Sequence, residues 1–108
     1  MIDIAEHCQP CESGTAPLDA LTVEHLLLPL DGWDTRGNAI VKRWSFKNFK
    51  QAQAFVNQIG ALAEAENHHP DIAFGWGYAE ITLTTHSIGG LSENDFIIAK
   101  KINALPAA

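Results

Sequence analysis

The hydrophobic period of the chain changes at Pro70, and this change constrains the fold more than any other feature. Before it, apolar residues recur at steps of three and four, as in a helix that buries one stripe: Phe49, Ala52, Val56, Ile59 and Ala63. His69 precedes Pro70 and is biased towards extended backbone, so the helix must end near Asn67. Residues 71–76 and 78–86 then read as two strands around a glycine-flanked turn. A long helix followed by a hairpin is the predicted centre of the domain.

The remaining segments add one strand and two helices. Residues 39–46 alternate and are rich in aromatic and β-branched side chains, which is typical of a strand. A short helix before them is expected to end at Pro29, and residues 30–38 read as a turn-rich loop. Ser92 and Asp95 have the spacing of a capping box at the start of a C-terminal helix. The order helix-strand-helix-strand-strand-helix predicts an α+β fold, in which helices pack on one face of a small antiparallel sheet.

Length and charge narrow the class of protein. With 108 residues, 46% of them hydrophobic, the chain fits one domain with one core, which we place at residues 21–108. The net charge of −6 argues against nucleic acid as a partner, because binding to a phosphate backbone needs a basic face. The sequence has no apolar run long enough to span a bilayer and no secretory leader. We therefore expect no membrane contact and a cytoplasmic location.

Residues 1–20 are interpreted as a flexible N-terminal arm that carries both cysteines. Cys8 and Cys11 form a CxxC pair with His7 beside it. This pattern is compatible with a redox pair, with half of a zinc site, or with two reduced thiols in an arm. We favour reduced thiols, because a redox CxxC usually opens a helix after a strand and a closed zinc site needs four ligands.

Histidines cluster at the junction between the long helix and the hairpin. Three of the five histidines are His68, His69 and His86. If the strands after Pro70 pair antiparallel, the end of the second meets the start of the first, which brings His86 back beside the other two. They are then surface or core histidines, a zinc site, or a metal-free acid–base site. Extended neighbours point to opposite faces, which resists coordination of a metal by His68 and His69 together. Imidazole titrates near ~6.5 and suits acid–base work at neutral pH.

A longer motif runs through this cluster. It consists of an acidic residue, a His-His-Pro triplet, an aromatic residue, a third histidine and an aspartate: Glu64, His68-His69-Pro70, Trp76, His86 and Asp95. The spacing resembles that of the pterin-4a-carbinolamine dehydratases. The similarity extends from about Leu21 to Leu105, through Trp33, Trp44 and the segment "GLSENDF".

This resemblance implies dehydration of a 4a-hydroxytetrahydropterin, such as 4a-hydroxytetrahydrobiopterin, to the quinonoid dihydropterin and water. In the family this step recycles the pterin cofactor of aromatic amino-acid hydroxylases, so a functional link to such a hydroxylase is implied. The three histidines line the pterin site, and the chemistry uses no metal and no cofactor. Our hypothesis is that His68 is the base, His86 is the acid, and His69 positions the ring.

The resemblance also implies further site residues and partners. Side chains or backbone groups expected to contact the pterin are Glu64, Pro70, Thr85, Ser87, Ile88, Trp33 and Trp76. Asp95 is assigned to helix capping first, and Asn67 stands where some relatives have aspartate, which puts an acid–base role there in doubt. A homodimer or homotetramer is implied. The alternatives are a protein-interaction module, like the family members that act as dimerisation partners, or a protein of molybdenum cofactor metabolism.

Overall fold

The computed structural model describes residues 7–8 and 15–106, which form three helices and four strands. In chain order these are α1 (Ala20–Leu27), β1 (Asp34–Arg36), β2 (Ala39–Ser45), α2 (Phe49–Glu66), β3 (Asp71–Gly75), β4 (Tyr78–Leu83) and α3 (Glu93–Asn103), with a 3-10 turn at His86–Ile88 between β4 and α3. The predicted α+β class with an antiparallel sheet is confirmed. No helix in these ranges is both long and apolar enough to cross a membrane.

The sheet has the strand order β1-β2-β4-β3, and each neighbouring pair is antiparallel. The sequence-based prediction missed β1, which was interpreted as part of a turn-rich loop. All three residues of β1 are exposed, so the strand has no alternation of apolar side chains by which it could be recognised. It forms because the β1–β2 hairpin turns at Gly37, which has a positive φ of 59°.

The core lies between the sheet and the helices. Along β4, the side chains of Ala79, Ile81 and Leu83 are completely buried, while their neighbours are half-buried. Each fully buried Ile or Leu stabilises the fold by about 1.5–3 kcal/mol. Helix α2 covers this face with Ala52, Phe55, Ile59 and Ala63. Phe55, which the predicted stripe left out, is buried, whereas Val56 is half-buried and Phe49 is 44% exposed at the first turn of the helix.

The register of the sheet determines where the candidate site is assembled. Asp71 of β3 is opposite Thr82 of β4, and Ile40 of β2 is opposite Leu83 of β4. The start of β3 and the end of β4 therefore lie at the same end of the sheet, as the connectivity predicted. The junctions α2–β3 and β4–α3, which carry the histidines, both lie at this end.

Candidate active site

The junction between α2 and β3 is shaped by Asn67. This residue adopts the left-handed conformation (φ 53°, ψ 38°) and its backbone N–H donates to the carbonyls of Ala63 and Glu64. Asparagine tolerates this conformation better than most residues, so it ends the helix where glycine would otherwise be expected. His68 then donates its own backbone N–H to Ala63 at 3.2 Å. Asn67 thus has a structural explanation, and the chain leaves the helix with His68 and His69 on different sides.

His68 faces inward and pairs with Asp95 of α3. The distance from His68 Nε2 to Asp95 Oδ1 is 2.7 Å. The side chain of His68 is 13% exposed and that of Asp95 is completely buried. A carboxylate only accepts hydrogen bonds, so the ring supplies the proton of this contact. The neutral imidazole therefore carries its proton on Nε2, which leaves the Nδ1 lone pair available as an acceptor.

The second oxygen of Asp95 is held by the chain segment that carries His86. Asp95 Oδ2 accepts from the hydroxyl of Thr85 at 2.8 Å and from the backbone N–H of Ser92 at 3.0 Å. Within the described residues, every buried side-chain nitrogen and oxygen has a hydrogen-bond partner. Since Thr85 directly precedes His86, Asp95 bridges the two histidine-bearing junctions.

His69 faces outward and pairs with Glu64 on the last turns of α2. His69 Nε2 lies 2.9 Å from Glu64 Oε1, and the two side chains are 53% and 81% exposed. An ion pair this exposed contributes roughly 0–1 kcal/mol, because water screens it and both side chains lose freedom. The pair nevertheless places an imidazole and a carboxylate on the surface at the same end of the sheet.

His86 opens the 3-10 turn that follows β4 and is exposed. A bridge between Thr85 and Gly90 closes this turn: the backbone N–H of Thr85 donates to the carbonyl of Gly90 at 3.0 Å. Ser87 is exposed and Ile88 is half-buried in the same turn. Pro70 is half-buried at the start of β3. The turn and the α2–β3 junction lie next to each other, because Asp95 contacts both Thr85 and His68; we call this region the histidine corner.

The structure places Thr85 and Trp33, both expected to contact the pterin, in contacts within the chain. The backbone N–H of Thr85 is already used by Gly90, and its hydroxyl contacts Asp95. Trp33 is 4% exposed in the core and donates its indole N–H to Asn103 at 3.0 Å. Asn103 lies eight residues beyond Asp95, roughly 12 Å along α3. Trp33 therefore does not border the histidine corner.

Trp76 also lies away from the histidines of its own chain. It is 74% exposed in the turn that joins β3 to β4. That turn is at the opposite end of the hairpin from Asp71, roughly 13 Å away over four residues of extended strand. Within one chain, Trp76 therefore does not wall the corner, contrary to expectation.

Cys8 is held against the domain. Its backbone N–H donates to Glu66 Oε1 at 2.8 Å, and its thiol lies 3.7 Å from the carbonyl oxygen of Asn94. Burial, followed by the charge of Glu66, raises the pKa of the Cys8 thiol to about 12. A protonated thiol is a poor nucleophile and metal ligand, so Cys8 is inert in this position. Cys11 lies outside the described residues, and among those described no three His, Cys, Asp or Glu side chains form a metal-binding group.

The chain is similar to known proteins over most of its length. The family model described as pterin 4 alpha carbinolamine dehydratase matches residues 16–105. A protein of Halorhodospira halophila, named provisionally as a pterin-4-alpha-carbinolamine dehydratase, is 49% identical over 102 residues, which cover 93% of this chain and 94% of that protein. A protein of Rubrobacter xylanophilus with the same provisional name is 48% identical over 97% of this chain and 100% of its own length.

The chain belongs to the pterin 4 alpha carbinolamine dehydratase family. Among solved structures, the "transcriptional coactivator/pterin dehydratase" of Brucella melitensis matches with a TM-score of 0.78 and 34% identity, over 82% of this chain and 96% of that one. A "pterin dehydratase-like protein", described as a RuBisCO assembly factor in the alpha-carboxysome, matches with a TM-score of 0.54 and 30% identity, over 67% of this chain and 83% of its own.

Sequence reasoning assigned Asp95 to helix capping first, and the structure adds a contact with His68. The spacing of Asp95 from Ser92 is sufficient for helix capping, and the capping contact is present. Capping uses one carboxylate oxygen, however, and the other is bound to His68. The family motif already pointed to this residue, because it includes an aspartate at this position. Capping alone does not require one, since several residue types can cap a helix.

Proposed function

We propose that this protein dehydrates a 4a-hydroxytetrahydropterin, giving the quinonoid dihydropterin and water. Family membership supports the class of reaction. The observation that carries the proposal is the shielded hydrogen bond between His68 Nε2 and Asp95, which leaves Nδ1 of the neutral ring as the acceptor. We place this activity in the cytoplasm, as part of the recycling of a hydroxylase's pterin cofactor.

The reaction requires one proton to be added and one to be removed. The substrate carries a hydroxyl on a carbon bonded to nitrogen. The C–O bond breaks when an acid protonates the hydroxyl, which leaves as water, and a base takes the proton of a ring N–H as the new C=N bond forms. Each proton transfer by a positioned side chain typically accelerates a reaction by about 10²–10⁴-fold. Two imidazoles in different protonation states can supply both steps without a metal or a cofactor.

His68 suits the role of base. Its Nε2 is engaged by Asp95, so a neutral ring can accept a proton only at Nδ1. When Nδ1 takes up the proton, the ring becomes cationic next to the Asp95 carboxylate, whose charge stabilises it. The arrangement of a carboxylate, an imidazole and an external proton donor resembles that of the hydrolase triads, with the roles of the two ring nitrogens exchanged.

His86 suits the role of acid, and His69 that of a positioning group. His86 is exposed on the turn after Thr85, where solvent can restore its proton after each cycle. His69 and Glu64 form a polar rim that can hold the edge of a heterocycle by hydrogen bonds. Pro70, Ser87 and Ile88 border the same corner and complete the proposed pterin site. A homodimer or homotetramer is part of this proposal by analogy with the family.

Turnover of purified 4a-hydroxytetrahydropterin tests the proposal directly. His68→Ala is expected to lower kcat by about 10²–10⁴-fold, because it removes the base and leaves Asp95 without its partner. His25→Ala is the matched control, since His25 is an exposed histidine on α1. Near-normal turnover of His68→Ala refutes the assignment of the base. Absence of turnover in the folded wild-type protein refutes the proposed reaction.

A second candidate function is that of a protein-interaction module. It is favoured by the names of the two structural neighbours, a transcriptional coactivator/pterin dehydratase and a RuBisCO assembly factor. Dehydration by the pure protein, with no partner required, favours the enzyme. An intact fold without turnover, together with a partner that co-purifies stoichiometrically, favours the interaction module. A dehydratase-like protein for another pterin, such as that of the molybdenum cofactor, is expected to bind pterins with poor turnover.

A further inference from the structure

A chain of three buried polar side chains lies behind His68. Thr85 is 5% exposed, Ser92 is 8% exposed and Asp95 is completely buried. Thr85 Oγ1 lies 2.7 Å from Ser92 Oγ and 2.8 Å from Asp95 Oδ2. Burying a carboxylate is costly unless hydrogen bonds compensate it. These contacts are therefore expected to matter for the state of Asp95.

The direction of this hydrogen-bond chain follows from the number of protons. A hydroxyl group has one proton, and an ionised carboxylate can only accept. Thr85 therefore donates to Asp95, and it accepts from the hydroxyl of Ser92. The chain runs in one direction, from Ser92 to Thr85 to Asp95, and ends at the carboxylate that contacts His68. Hydrogen bonds aligned in this way polarise and strengthen one another.

Helix capping does not require the Thr85 contact. The backbone N–H of Ser92 already donates to Asp95 Oδ2, which satisfies the start of α3. Thr85 comes from a different segment, ten residues earlier, and adds a second donor to the same oxygen. Two donors on Oδ2 fix the rotation of the carboxylate about its terminal bond. Oδ1 is then held facing His68 Nε2.

We infer that Thr85 and Ser92 are positioning residues for the His68–Asp95 pair. Their hydroxyl groups hold the carboxylate so that His68 keeps its proton on Nε2 and presents Nδ1 as the acceptor. Neither hydroxyl contacts the reacting atoms. The inference rests on the proposed function for its effect on turnover, but the tautomer of His68 is a property of the protein without substrate.

The test compares three substitutions with the wild type. Thr85→Val removes the hydroxyl at nearly constant volume, and Thr85→Ser keeps it. Thr84→Val is the matched control, because Thr84 is the neighbouring threonine and its hydroxyl donates to the backbone carbonyl of Asn38. Dehydration of 4a-hydroxytetrahydropterin gives kcat and KM. Nuclear magnetic resonance of nitrogen-labelled histidine, recorded without substrate under conditions where the ring is neutral, gives the tautomer of His68.

Thr85→Val is expected to lower kcat by about 10- to 100-fold, the range for a lost hydrogen bond to a charged group. KM should change by less than about threefold, because the pterin does not contact this hydroxyl. A second tautomer of His68 should appear beside the Nε2–H form. Thr85→Ser should restore both kcat and the single tautomer, and Thr84→Val should leave both unchanged.

The inference is overturned if Thr85→Val keeps the single tautomer, whatever happens to its turnover, or if Thr85→Ser does not restore the wild-type behaviour. If Thr85→Val does not fold, as judged by circular dichroism, Ser92→Ala decides instead. That variant removes the donor to Thr85 together with the capping hydroxyl of α3, so circular dichroism first checks its fold. A few-fold loss of kcat with a mixed tautomer then supports the inference, and an unchanged tautomer overturns it. A wild-type protein that does not dehydrate the pterin but shows the predicted tautomers refutes the proposed function and leaves the positioning role standing.

Discussion

Two neighbouring histidines form two very different pairs with carboxylates. The inner pair, His68–Asp95, and the outer pair, His69–Glu64, have nearly equal distances, 2.7 Å and 2.9 Å. The exposed fractions differ strongly: 13% and 0% in the inner pair, against 53% and 81% in the outer pair. Distance alone would therefore give the two pairs the same importance.

Burial and additional donors, and not contact distance, therefore distinguish the two pairs. Water screens the outer pair, so its geometry is weakly held. The inner pair is shielded, and Asp95 is fixed by two further donors on its other oxygen. We therefore expect the inner pair to keep one tautomer of His68, and the outer pair to make weaker, adaptable contacts.

The largest expected effect comes from the inner pair. Asp95→Asn should lower kcat by about 10²–10⁴-fold, because a neutral amide no longer stabilises the protonated ring and its NH₂ group can select the wrong tautomer. Steady-state kinetics with a 4a-hydroxytetrahydropterin measures this. Asp34→Asn, on the exposed strand β1, is the control with the same chemical change. Turnover of Asp95→Asn within a few-fold of wild type would show that the inner pair is not needed for the reaction.

The histidine of the outer pair should have an intermediate effect. His69→Ala is expected to raise KM by roughly tenfold, the upper range for one neutral hydrogen bond, while kcat changes less. The reason is that His69 is proposed to position the ring without transferring a proton. Separate determination of kcat and KM tests this. A drop in kcat as large as that of His68→Ala would show that both histidines act in the chemical step.

The carboxylate of the outer pair should matter least to turnover. Glu64→Gln is expected to change kcat/KM by about twofold, since an exposed pair contributes little. The same kinetic assay, run beside Asp95→Asn, compares the two carboxylates directly. An equal loss in both variants contradicts the distinction between the two pairs.

Glu66 is a shielded carboxylate that has no role in the proposed site, so it shows what shielding alone does. It is 8% exposed and accepts from Lys101 Nζ at 2.9 Å and from the backbone N–H of Cys8 at 2.8 Å, with His7 Nδ1 at 2.8 Å. The hydrogen bonds from Lys101, His7 and the Cys8 backbone lower the pKa of Glu66 from 4.5 to about 2. A carboxyl group with a lowered folded-state pKa stabilises the fold above its unfolded value, and this contribution disappears as the pH falls through the folded value.

Glu66→Gln should therefore leave turnover unchanged and alter only the acid stability. At neutral pH the variant is expected to unfold at lower urea concentration than the wild type. The difference should persist down to about pH 4.5, shrink between pH 4.5 and pH 2, and vanish below that. Urea unfolding at several pH values measures it. A difference that grows on acidification has the wrong sign and would exclude this account.

Local patterns were sufficient for much of the fold. The stripe on α2, the stop before Pro70 and the alternation of β4 predicted a helix and a hairpin, because helix and strand periods depend on neighbouring residues. The antiparallel connection then predicted that both histidine junctions lie at one end of the sheet, and the register confirms this. Strand β1 was missed, because it is held by pairing with β2 and not by a pattern of its own.

Spacing along the chain was enough to predict which residue types lie at the corner: two histidines after a helix, one after a strand, and an aspartate three residues into the last helix. Their surroundings depend on the packing of the elements. Trp33 lies in the core, Trp76 lies in the turn at the other end of the hairpin, and Asp95 contacts His68, which is 27 positions away in sequence. The physical reason is that burial and long-range hydrogen bonds depend on how the elements pack, which spacing along the chain does not specify.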